Sequence, residues 1–135
     1  MRYLSLVLVA FAFVSCKKSV EPEELAPTHI GMWDGDYKET YLIRDSQILQ
    51  SNTSSLVGLS LDFKTDNTVD YISNANILSN TPYVRSFRLL ETNFNSNNTT
   101  WVLEEMTEDV MVWKREKLYA GGYVEGVVNH FIRRE

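Results

Sequence analysis

The chain has 135 residues, room for one domain, and is 44% hydrophobic, 12% aromatic and 23% charged, a globular composition. One cysteine, three prolines and six glycines exclude a disulfide-stapled miniprotein, a multi-cysteine zinc site and a Pro/Gly-rich linker protein. A net charge of −5 is the wrong sign for neutralising phosphates, so no nucleic-acid partner is expected.

Residues 1–15 read as a signal peptide. Met1-Arg2 gives a positive start, and Tyr3 to Ser15 then runs without a charge. That run is shorter than the roughly 20 apolar residues a membrane-spanning helix needs. It ends in Phe13-Val14-Ser15-Cys16, followed at once by Lys17-Lys18. A small residue before the only cysteine, at the close of an apolar run, resembles a bacterial lipobox. The resemblance implies cleavage after Ser15 and acylation of Cys16, and hence a lipid-anchored protein of the outer membrane. Two or more acyl chains hold a protein stably where one does so only marginally. Residues 16–28 then form a tether: Pro22, Pro27 and the acidic Glu21, Glu23 and Glu24 leave it nothing to bury.

From residue 29 to 135 the chain reads as all-β. Strand-like runs recur between turn signals, with no helical stripe. The predicted strands are Trp33–Ile43, with Trp33, Tyr37 and Tyr41 on one parity, then a short piece at Ile48-Leu49, then Leu56–Phe63. Thr65-Asp66-Asn67 turns the chain into Thr68–Ile72, the clearest hairpin in the sequence. Asn74–Pro82 reads as a loop, Tyr83–Leu90 as a strand and Thr92–Thr99 as a polar turn. Trp101–Met106 and Asp109–Arg115 make a second hairpin, Gly121-Gly122 punctuates, and Val124–Arg133 is the last strand. About eight strands with short local connections imply an antiparallel up-and-down meander that escapes open edges by closing into a barrel. Such a barrel has room inside for side chains or one small ligand.

Three stretches of this body carry a family resemblance: Gly31-Met32-Trp33, Leu61 to Val69 (LDFKTDNTV) and Met106 to Trp113 (MTEDVMVW). With the lipobox, their order and spacing resemble the small lipocalin-like lipoproteins of Bacteroidetes. The resemblance covers about residues 29 to 134 and implies a lipocalin-like barrel binding a small apolar or amphipathic ligand. In the wider lipocalin pattern an arginine of a late strand lies across the first-strand tryptophan. By that resemblance Arg133 or Arg134 is expected over Trp33 as a structural latch.

Catalytic constellations do not emerge from the sequence. His29 and His130 are the only histidines and have no neighbouring ligands at metal spacing, so no metal is expected. A Gly-x-Ser-x-Gly elbow and a glycine-rich phosphate loop are both missing, and no cofactor is implied. The strand aromatics, core in the main, leave Tyr41, Tyr71, Arg85 and Arg88 as candidate pocket residues. The sequence therefore points to a non-catalytic envelope protein: a barrel that carries a ligand, or a filled barrel serving as scaffold or protein-interaction module.

Overall fold

The computed structural model describes residues 28–94 and 96–135. The expected signal peptide, the acylation at Cys16 and the tether up to residue 27 lie outside the described residues. Nine antiparallel strands follow one another: β1 (Gly31–Arg44), β2 (Gln47–Ser55), β3 (Leu59–Phe63), β4 (Thr68–Ser73) and β5 (Asn76–Ser86). They continue as β6 (Leu89–Phe94), β7 (Asn97–Met106), β8 (Val110–Tyr119) and β9 (Tyr123–Arg133). Each strand from β3 to β9 pairs with the next, and β9 returns to pair with β1. Eight strands thus close an up-and-down barrel. The ninth, β2, shares an edge of β1 with β3: β3 faces Gly31–Asp34, and β2 faces Tyr37–Arg44.

Gly35 lets β1 change partners. A Cβ there would lie 2.7 Å from both the Cβ and the carbonyl oxygen of Leu56, in the link between β2 and β3. Opposite β9 the register slips at the same point, so Asp36 is an extra residue between Gly35 and Tyr37. Such a bulge bends a strand and inverts its facing beyond the extra residue. Similar slips leave Leu49, Leu78 and Glu104 as extra residues on β2, β5 and β7.

The core fills one end of the barrel. Trp33, Phe63, Val69, Leu90 and Met111 are almost wholly buried there, joined by Tyr83 and Leu103. Each large apolar side chain removed from water contributes about 1.5–3 kcal/mol. Above them Trp113 meets Phe63, Trp101 and Phe131 with ring centroids 5.9, 5.5 and 4.9 Å away. Edge-on and tilted contacts of this kind suit the ring quadrupole.

The chain leading into β1 straps this end shut. Trp33 Nε1 donates to the His29 carbonyl at 2.8 Å, and Arg133 Nη1 donates to the Ile30 carbonyl at 2.9 Å. Arg133 also donates to the carbonyls of Thr28 and Glu108, and its guanidinium carbon lies 4.3 Å from the Trp33 ring centroid. Arg134, the other arginine expected near Trp33, pairs instead with Asp34, which also accepts from Ser60 at 2.6 Å.

Several predicted boundaries need correction. The stretch 74–82 is a turn followed by the first half of β5, and 92–99 is the tip of a β6–β7 hairpin with strand on both sides. Asn74 and Ala75 both take positive φ, as do Asp45 and Ser46, the geometry of two-residue hairpin turns. The single strand expected over Tyr83–Leu90 is two, divided at Phe87, whose φ is also positive. Ile48-Leu49 belongs to a nine-residue strand. Tyr37 and Tyr41 do not share the face of Trp33, because the extra residue Asp36 turns them outward.

Candidate functional site

At the end opposite the strap the barrel is not filled. A cavity of about 500 Å³ opens there, floored by Trp101, Trp113 and Phe131. Its volume lies within the roughly 300–1,000 Å³ of small-molecule sites. One wall is apolar: Leu56, Leu59 and Leu61 from the β2–β3 side, Tyr71 from β4 and Phe94 from β6. The opposite wall, from β1, β9 and β8, presents Lys38, Thr40, Asn129, Val127, Glu125 and Arg115.

The register orders that polar wall by depth. Lys38, Asn129 and Trp113 form the row at the floor. Thr40, Val127 and Arg115 form the next, and Leu42, Glu125 and Lys117 the one nearest the mouth. Lys38 faces inward because of the extra residue Asp36. Arg115 lies with its guanidinium carbon 5.2 Å from the Trp101 ring centroid. Glu125 accepts from Tyr119 Oη at 2.8 Å and is the register partner of Lys117.

The wall is also split. β7 and β8 pair only from Val102 opposite Lys114 down to Met106 opposite Met111. Above that, β7 follows β6 while β8 follows β9. The resulting cleft is lined by Asn98, Thr100, Glu116 and Lys117, and it shares Thr99, Arg115, Glu125 and Val127 with the cavity.

Of the four candidate pocket residues, Tyr71 lines this cavity. Tyr41 projects from the outer face of β1. Its ring covers Gly126, where an added Cβ would fall 1.9 Å from Tyr41 Cζ, and its hydroxyl donates to Glu116. Arg85 belongs to the strapped end, where its Nη1 donates to His29 Nδ1 at 2.7 Å. Arg88 caps the β5–β6 turn by donating to the carbonyls of Leu103 and Glu104 at 3.1 and 3.0 Å. The structure thus disperses three of the four. Lys38 and Arg115 are cavity residues that sequence reasoning missed. The alternation Met111, Trp113, Arg115 held a signal for the second, but nothing local betrayed the bulge that turns Lys38 inward.

Several titratable groups away from the cavity have structural partners. His29 Nε2 lies 2.7 Å from Tyr83 Oη, which donates to the Lys64 carbonyl at 3.2 Å. Burial, seconded by the Arg85 guanidinium, lowers the His29 pKa to about 4, so the imidazole is neutral and accepts from Arg85. Asp70, opposite Asp62 across the β3–β4 hairpin, is held below the usual carboxylate range by Lys64 at 2.6 Å and by Asn80. Among the described residues, no three His, Cys, Asp or Glu side chains gather in a metal-binding group. What the arrangement offers chemically is containment: an aromatic floor, one mainly apolar wall and one wall with charged donors. No protein-family model, curated protein or solved structure matches the chain.

Proposed function

We propose that this protein is a cell-envelope lipoprotein, anchored in the outer membrane through Cys16, whose barrel binds a small apolar or amphipathic ligand without transforming it. The observation that carries the binding role is the cavity of about 500 Å³ above the Trp101–Trp113–Phe131 floor. A barrel serving only as scaffold has no need to leave one end of its interior unfilled, since packed interiors are the stable default. The sequence around Cys16 supports the anchor, and the resemblance to lipocalin-like lipoproteins supports the ligand class.

The test is native mass spectrometry of the protein taken from its own cell envelope, or incubated with that envelope's lipid extract. A discrete added mass that disappears on denaturation is the expected result. A mass that stays that of the bare chain throughout the extract overturns the carrier reading.

One observation favours the alternative, a non-catalytic interaction module of the envelope. Among the described residues β2 has a free edge over nine residues, and its sequence QILQSNTSS carries no charge or proline. Natural edge strands are commonly protected by such residues, and an unprotected one is a template for strand addition. A bare mass together with a captured envelope protein that protects the β2 amides from hydrogen exchange would establish that reading instead.

A further inference from the structure

The donors of the cavity are unevenly matched by acceptors. Trp113 is 1% exposed, lines the cavity, and its indole N–H has no hydrogen-bond partner among the described residues. Lys38, in the same row two strands away, makes no ion pair and no side-chain hydrogen bond among them, and the same holds for Arg115 one row up. The one carboxylate of the cavity, Glu125, sits nearer the mouth, with the Tyr119 hydroxyl on one oxygen and Lys117 as its register neighbour. Two cations and an indole N–H thus line the lower part of one wall, in a chain whose net charge is −5. Arg115 is exposed and Lys38 half-buried, so of the three only the Trp113 N–H is a buried unmatched donor, which is costly. An ionised acceptor is the strongest partner for all three. The facing wall of Leu59, Leu61, Tyr71 and Phe94 is mainly apolar and uncharged, its one hydroxyl that of Tyr71.

We propose that the cavity selects amphiphiles with an anionic head group, whose oxygens are held by Lys38 and Arg115 with the Trp113 N–H, while the chain lies along the apolar wall. This rests on the reading of the cavity as a ligand site and adds the charge of the ligand to it. The β7–β8 cleft, where Arg115 and Lys117 are balanced by Glu116 and Glu125, opens beside that wall. Carboxylate and phosphate heads share this chemistry.

The purified full-length chain is titrated calorimetrically at pH 8 with decanoate, decyl phosphate, decanol and decyltrimethylammonium, each below its micelle concentration. The expected result is that at least one of the two anions binds tenfold or more tightly than decanol, and the cation more weakly than either anion. The tighter anion tells whether the head is a carboxylate or a phosphate. In Lys38→Met/Arg115→Met the preference disappears while decanol affinity stays within twofold, and Lys38→Arg/Arg115→Lys keeps it. The decanol affinity and an unchanged far-ultraviolet dichroism spectrum show that the variant cavity is intact. Equal affinity for all four ligands overturns the head-group assignment and leaves the cavity a ligand site. A preference that survives the double variant overturns the role of these two residues. Failure of all four to bind overturns the ligand site itself.

Discussion

The two ends of the barrel use the same eight strands for opposite purposes. At the strapped end inward side chains are large and apolar, and the polar backbone of the lead-in is tied off by Arg133 and Trp33. At the open end the inward positions turn polar, β7 parts from β8, and apolar side chains near the hairpin tips, Ile48, Leu49, Ile77, Leu78 and Leu118, face water. The first end carries stability and the second carries the cavity. The difference teaches that substitutions should act on stability or on binding according to their height along the barrel.

The sharpest way to break this division is Trp33→Ala, which leaves a hole in the strapped end and an unmatched carbonyl at His29. It is expected to cost about 3–5 kcal/mol in urea unfolding. By contrast, Leu49→Ala at the open end is expected to stay within about 0.5 kcal/mol. A cost at Leu49 comparable to that at Trp33 would contradict the division. Arg133→Met keeps the aliphatic stem but loses the charged hydrogen bonds and the contact over Trp33. About 2–3 kcal/mol should go with it, and hydrogen exchange should quicken at Ile30 to Trp33 before it does at the cavity.

A smaller effect comes from pH. His29 titrates near 6.5 when unfolded and at about 4 when folded, so the unfolded chain binds the proton first. Its contribution is fully present above pH 6.5 and is lost as pH falls from 6.5 to about 4. The measurement is the urea midpoint across that range, and His29→Gln should flatten its slope between pH 6.5 and 4.5. An unchanged slope would remove His29 from the account. Among substitutions that line the barrel interior, Phe94→Ala has the smallest expected cost in stability. Phe94 is half-buried at the cavity wall, so its loss should cost about 1 kcal/mol. Its main effect should be on binding, with the affinity for decanol falling severalfold.

The same division explains what the sequence made legible. In the β3–β4 hairpin Leu61 and Phe63 alternate with Ser60 and Asp62, and Asn67 takes a positive φ in the turn, so a buried face and its turn could both be read locally. The starts of β5 and β7, Asn76–Asn80 and Asn97–Thr100, line an open end with little dry face on either side. Strands there are held mainly by backbone pairing and side-chain hydrogen bonds such as Asn80 to Asp70, and show no apolar alternation, which is why they read as loop and turn. Trp33 opened the first strand legibly, but the facing of everything after Gly35 depended on a bulge with no residue signature. Tyr41 was therefore sought inside and Lys38 was overlooked.

Asp36 has a consequence for how this protein can change over generations. As the unpaired residue between Gly35 and Tyr37, it can be lost while Gly35 stays opposite Phe131 and Tyr37 opposite His130. Lys38 and Thr40 would go on lining the cavity, and only the local bend of the strand would relax. Losing one residue from a regular strand inverts every facing beyond it, so the bulge shields this wall from a one-residue shortening at that point.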